Sequence, residues 1–134
     1  MSSKIGAVYI VDDDPIIVYS MNRLMMEMNF YESLNTFENG KKAIEALQMA
    51  HESDENLPDI LFLDLTMPEM NGFEFLNELS KMDSKTNGFQ QIRVIVISSS
   101  VNPREIEKIN SYPMVEKYIV KPLTPSDLKQ LIEI

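Results

Sequence analysis

Apolar residues along the chain fall into two rhythms that alternate. Short, nearly unbroken runs at 7–11 (Ala-Val-Tyr-Ile-Val), 60–63 (Ile-Leu-Phe-Leu), 92–97 (Ile-Arg-Val-Ile-Val-Ile) and 118–120 (Tyr-Ile-Val) have strand length and favour β-branched or aromatic residues. A fifth candidate at 31–37 alternates imperfectly and suits an outer strand. Between the runs, apolar positions return at helical spacing: Ile17, Met21, Leu24 and Met28; Ala43, Ile44, Leu47 and Ala50; Phe73, Leu76 and Leu79; Ile106 and Ile109; Leu128, Leu131 and Ile132. Asp14-Pro15 and Thr124-Pro125 each place a capping side chain before a proline at the first helical position. The order is strand then helix, five times. That order predicts an α/β fold with a parallel sheet covered on both faces, which is why the strands are continuously apolar. The polar segment 82–91, with Asn87-Gly88, reads as the long solvated connection.

Composition narrows the classes. With 134 residues, 44% hydrophobic and 25% charged, the chain is expected to be a single domain over 1–134 with no output domain attached. There is no cysteine, so disulfides and thiolate metal sites are excluded, any metal must sit on oxygen, and a reducing cytoplasm suits the chain. A net charge of -9 opposes direct nucleic-acid binding. The start, Met1-Ser2-Ser3-Lys4 running into a short apolar stretch stopped by acids, is neither a signal peptide nor a spanning segment, so a soluble, cytoplasmic protein without a membrane partner is expected. The ten methionines, Met21, Met25, Met26 and Met28 among them, read first as core filler and second as an adaptable docking surface. His51, the only histidine, lies in a polar stretch at a helix end and is a poor phosphoryl donor.

In an open α/β sheet, ligands bind beyond the carboxyl ends of the strands. Here those ends carry Asp12-Asp13-Asp14, Asp64, Ser98-Ser99-Ser100 and Lys121-Pro122. Clustered carboxylates repel and are costly to desolvate, so Asp12, Asp13 and Asp64 belong together if they hold a hard divalent cation. Helix capping accounts for Asp14 but needs only one acid of the three. Asp64 alone reads better as a turn former; Lys121, emerging from its own strand, lowers the weight of that reading because it supplies the charge that would pair with the carboxylate and with an incoming phosphoryl oxygen. Ser98 offers a hydroxyl donor, or is simply a serine opening a loop.

These blocks carry a resemblance. Tyr9-Ile10-Val11-Asp12-Asp13-Asp14-Pro15, Leu63-Asp64-Leu65-Thr66-Met67-Pro68-Glu69-Met70-Asn71-Gly72, Val96-Ile97-Ser98-Ser99 and Tyr118-Ile119-Val120-Lys121-Pro122 stand in the order found in the receiver domain of two-component response regulators, nearly end to end. The resemblance implies a flavodoxin-like (βα)5 sandwich with strand order 2-1-3-4-5. It implies Asp64 as phosphoacceptor, assisted by Lys121 and Ser98. It further implies Mg2+, or Mn2+ in its place, held by Asp13, Asp64 and the Thr66 backbone carbonyl, with Asp12 acting through water. Ser98 and Tyr118 match the switch pair, and a cis bond is implied before Pro122. Ser98 replaces the commoner threonine, Ser99 is suitably small, and the segment 111–117 lacks the glycine usual there.

The implied function is a signalling switch and not a conventional enzyme, catalysing only its own phosphorylation and dephosphorylation. A sensor histidine kinase or His-phosphotransfer protein would be the donor, and a separate effector protein the target. A receiver-like binding module acting without phosphorylation is the alternative. A haloacid-dehalogenase-type phosphatase would want a second acid where Thr66 stands. A flavodoxin would want a phosphate-cradling loop where the three aspartates stand.

Overall fold

The structure, a computed structural model, describes residues 5–53, 57–67, 69–83 and 91–132. Strands and helices alternate: β1 (Ile5–Val11), α1 (Pro15–Met28), β2 (Tyr31–Phe37), α2 (Gly40–Glu52), β3 (Ile60–Leu63), α3 (Gly72–Asp83), β4 (Arg93–Ser98), α4 (Pro103–Asn110), β5 (Val115–Val120) and α5 (Pro125–Ile132). The five strands form one sheet in the order β2-β1-β3-β4-β5, with every neighbouring pair parallel. This is the flavodoxin-like (βα)5 arrangement with the expected strand order 2-1-3-4-5. Most of the long connection expected at 82–91, and Pro68 in the loop after β3, lie outside the described residues.

Side-chain alternation along the central strands divides the interior in two. Tyr9, Val11, Leu61, Leu63, Val94 and Val96 face one core, completed by Ala43, Ile44 and Leu47 of α2, Phe75, Leu76 and Leu79 of α3 and Ile109 of α4. Val8, Ile10, Ile60, Phe62, Ile95 and Ile97 face the other, completed by Met21 and Met25 of α1 and Leu128 and Leu131 of α5. Both cores need apolar residues at successive strand positions, and this is why β3 is buried at all four. β2 is the edge strand expected from its weaker pattern, with no residue fully buried.

The helix starts follow their caps. Asp14 Oδ1 accepts from Ile16 N at 2.9 Å ahead of Pro15, and Thr124 and Asp127 bond reciprocally at the head of α5. The stripe read for α3 holds at Leu76 and Leu79 and widens to Phe75, which is fully buried, while Phe73 packs half-buried against the same core beneath Lys108 of α4, whose Nζ lies 4.4 Å from the ring centroid. The fifth strand begins three residues earlier than its apolar run. Val94 pairs with Val115 but Ile95 with Lys117, so Glu116 bulges and breaks the alternation that would have announced the strand. Glu116 accepts two hydrogen bonds from the Arg93 guanidinium, at 2.7 and 2.6 Å, and Arg93 also donates to the carbonyl of Leu131 in α5.

Of the methionines, Met21, Met25 and Met67 are core residues, whereas Met26 and Met49 are exposed. No helix among the described residues is long and apolar enough to cross a membrane.

Candidate functional site: an acidic cluster bridged by a lysine

Three backbone bonds align the carboxyl ends of the strands. Asp64 N donates to the Val11 carbonyl at 2.9 Å, Asp12 N to that of Phe37 at 3.0 Å, and Lys121 N to that of Ser98 at 2.9 Å. Because Val11 stands opposite Leu63 in the β1–β3 ladder, Asp12 and Asp64 leave the sheet side by side. Gly72 seats the start of α3 against the turn that follows. A Cβ there would come within 2.8 Å of the Asp64 carbonyl oxygen and 2.7 Å of a Leu65 methyl, so only glycine permits so close an approach.

Carboxylate oxygens of Asp12, Asp13 and Asp64 lie within 4.8 Å of one another. Lys121 reaches across from the end of β5, its Nζ 3.2 Å from Asp12 Oδ2 and 3.2 Å from Asp64 Oδ1. Asp12 and Asp64 are buried and Asp13 is exposed, so the cluster opens to solvent on the side of Asp13. Asp12 Oδ1 also accepts from Asp14 N at 2.9 Å, which holds the acidic turn in shape. Burial pushes the Asp64 carboxyl above the usual aspartate range and the neighbouring Asp12 charge pushes it further, with Lys121 opposing both. Burial pulls Lys121 down, but the charges of Asp64 and Asp12 and their hydrogen bonds outweigh it and hold the ammonium above its ordinary pKa.

One ammonium against three carboxylates leaves the cluster negative. The donor set is all oxygen, which fits a hard divalent cation such as Mg2+ and fits softer metals poorly. Thr66 follows on an exposed turn two residues beyond Asp64.

Ser98 is buried at the end of β4. Its Oγ accepts from Ser100 N at 3.2 Å, leaving the hydroxyl proton free for another acceptor. Tyr118 is half-buried and turned toward the loop between β4 and α4, where its hydroxyl donates to the Ser100 carbonyl at 2.7 Å. The peptide bond between Lys121 and Pro122 is cis. The structure therefore brings Asp12, Asp13, Asp64 and Lys121 together, and links Ser98 with Tyr118 through Ser100. Asp14 stands apart as a helix cap, and His51 is exposed in the last turn of α2. Nothing in the periodicity singles out Glu105, yet it accepts from the Ser100 hydroxyl; the sequence signals are the run of three serines after an apolar strand and a glutamate three residues beyond Asn102, the spacing of a helix start.

A five-stranded parallel sheet with an acid cluster and a lysine at its carboxyl edge defines a class, and comparison with known proteins agrees. Residues 8–133 match the response regulator receiver domain family, and the chain belongs to it. Curated relatives include the probable methanogenesis regulatory protein FilR2 of Methanothrix harundinacea, 25% identical across 94% of this chain and 78% of its own length. The two-component response regulator ORR1 of rice is 31% identical across 92% of this chain, which spans about half (52%) of that protein. The chemotaxis protein CheY of Thermotoga maritima is 29% identical across 90% of both chains. Among solved structures, a two-component response regulator from Cytophaga hutchinsonii superposes with a TM-score of 0.85 at 27% identity, covering 97% of this chain and 96% of that one. The CheX-CheY-BeF3-Mg+2 complex from Borrelia burgdorferi superposes with a TM-score of 0.74 at 25% identity, covering 92% and 84%. The protein is thus a receiver domain of two-component systems, a class of signalling switches, with the acidic pocket at which such domains bind Mg2+.

Proposed function

We propose that Asp64 is the phosphoacceptor of this receiver, taking a phosphoryl group from a sensor histidine kinase or a His-phosphotransfer protein in a Mg2+-dependent reaction. The observation that carries this reading is Lys121 spanning Asp12 and Asp64 at 3.2 Å each, inside a cluster of three carboxylates. An Asp64 oxygen attacks the phosphorus in line as the bond to the donor imidazole nitrogen breaks, giving an acyl phosphate and the free imidazole. Lys121 then exchanges its contact with the Asp64 carboxylate for one with a phosphoryl oxygen, and the free proton of Ser98 serves another. Asp12, Asp13, Asp64 and the Thr66 carbonyl would hold the cation. When bound, Mg2+ neutralises charge on the carboxylates and on the phosphoryl oxygens. Water later attacks the acyl phosphate and releases inorganic phosphate.

The signal passes on through Ser98, which moves toward the phosphoryl group, and Tyr118, which turns inward behind it; both side chains bond the Ser100 backbone in the β4–α4 loop, and their movement reshapes the face formed by α4, β5 and α5. The similar CheY of Borrelia burgdorferi, solved in complex with CheX, BeF3 and Mg+2, supports the Mg2+-dependent part of the reading and a partner protein. Incubation with acetyl phosphate and Mg2+, resolved on phosphate-affinity gels, tests it. The wild-type chain is expected to shift, the shift to vanish with EDTA, and Asp64→Asn or Asp64→Ala to abolish it. Labelling that persists at unchanged stoichiometry in those variants would remove Asp64 from this role. A wild-type chain that is never labelled would leave a receiver-like binding module. Tyr118 rotamers with and without beryllofluoride test the switch, since identical populations leave none.

A further inference from the structure

Gly40, the first residue of α2, is buried, and its backbone gives no reason for a glycine, since its φ is not positive. The reason lies across a contact. Its N–H, one of the amides that a helix start leaves without an internal partner, donates to the Met70 carbonyl at 3.3 Å. A Cβ on Gly40 would stand 2.9 Å from that oxygen, 3.0 Å from Met70 Cγ and 3.2 Å from Met70 Cβ. The carbonyl oxygen and Cβ are fixed by the backbone, so no change of the Met70 rotamer would make room. Asn39, also buried, holds the helix start in place, its Oδ1 accepting from Lys42 N at 2.9 Å.

Met70 belongs to the loop that runs from Asp64 to α3 and carries Thr66. Leu65 and Met67 are buried on either side of the exposed Thr66, and Gly72 N closes the loop onto the Leu65 carbonyl at 2.9 Å. Glu69, next to Met70, has φ 65, a conformation that a residue other than glycine keeps only where its surroundings impose it. The loop is thus pressed between α2 on one side and the end of β3 on the other. Gly72 has no room to move closer to the Asp64 carbonyl or Leu65, so a displacement at Met70 is passed back toward Thr66.

Resting on the cation-binding reading of Asp12, Asp13, Asp64 and Thr66 above, we infer that the contact between Gly40 and Met70 sets the cation selectivity of the site, favouring Mg2+ over Ca2+. Mg2+ demands near-octahedral oxygens at about 2.0–2.1 Å, whereas Ca2+ accepts about six to eight in looser geometry at about 2.3–2.6 Å. A loop braced by α2 keeps the Thr66 carbonyl where a small, exacting ion needs it. A displaced loop gives up that placement, and the tolerant ion loses little. Gly40 and Met70 are positioning residues that touch neither the cation nor the acceptor.

Amide NMR titrations of the full chain with MgCl2 and, separately, with CaCl2 test this, following Asp12, Asp13 and Asp64 in the wild type, Gly40→Ala, Met70→Ala and Gly6→Ala. The last is a control at the far end of β1, where the new Cβ would meet Asp59 Oδ2 at 3.0 Å. In Gly40→Ala the Kd for Mg2+ should rise about fivefold or more and that for Ca2+ less than about twofold, as expected when a support behind a metal ligand is moved. Met70→Ala should shift the ratio of the two constants in the same direction by less, and Gly6→Ala should leave it at the wild-type value. A ratio unchanged in Gly40→Ala, or one that falls equally in Gly6→Ala, would overturn the inference. Should Gly40→Ala lose its dispersed spectrum, Met70→Ala decides alone, and an unchanged ratio there overturns it too. A wild-type spectrum unmoved at the three aspartates by either ion would instead bring down the cation-binding reading on which the inference rests.

Discussion

The two cores and the carboxyl edge of the sheet are built on opposite terms. In the cores, strand residues such as Phe62, Ile95 and Val96 are almost wholly removed from water, and each is packed by helices from its own side. At the edge, a few ångströms past the last apolar residue of β3, Asp64 is buried among like charges with its carboxyl pushed toward the neutral form. The interior lowers the free energy of the fold, whereas the edge raises it to hold charge where water alone would not gather it. The site is therefore a local cost that the two cores must offset.

The largest effect should come from breaking the interior. Phe62→Ala removes a ring that is 1% exposed, and urea denaturation should show a loss of about 3–5 kcal/mol. A loss near zero would mean that the two cores do not carry the fold.

An edge substitution should act with the opposite sign. A group whose folded pKa is raised contributes stability that is fully present below its unfolded pKa and is lost as pH rises through the folded value. Ionised Asp64 is therefore a penalty at neutral pH. Without metal, Asp64→Asn should stabilise the fold by about 1 kcal/mol at pH 7, a gain that shrinks toward zero as pH falls below the usual aspartate range. Thermal melts across that pH range check it, and a destabilised variant at pH 7 would contradict the strained-edge account. Adding Mg2+ should raise the wild-type melting temperature and raise that of Asp64→Asn less, because the variant offers the cation one carboxylate fewer.

The smallest effect belongs to the far end of the sheet. Arg93 and Glu116 are partly solvated, so Glu116→Ala should cost no more than about 1 kcal/mol. Arg93 lowers the Glu116 carboxyl below its ordinary range, so this contribution is present above the unfolded pKa and lost as pH falls through the folded one. Stability curves of wild type and variant should then converge in acid.

Several of these features could be read without coordinates because they are local. A strand or helix is announced by the period of its apolar residues, and Asp14-Pro15 and Thr124-Pro125 mark helix starts by bonds within one turn. β5 is the instructive failure. Its bulge at Glu116 cancels the alternation, so only Tyr118, Ile119 and Val120 stood out. Phe75 likewise belongs to the core beside Leu76 and Leu79, although the spacing marks Phe73, which is only partly buried.

The five strand-helix alternations, the lack of thiolate ligands and the placing of Asp12, Asp64, Ser98 and Lys121 each just beyond an apolar run follow from residue order alone. Strand order came only from the family resemblance, since periodicity says nothing of which strands are neighbours. Tertiary structure decided that β1 and β3 lie side by side, that Lys121 spans two carboxylates at once, and that Ser100 joins three elements. The strand pairing, the two lysine contacts and the Tyr118–Ser100 bond all join residues far apart in the chain, and such contacts exist only after the sheet has closed its order.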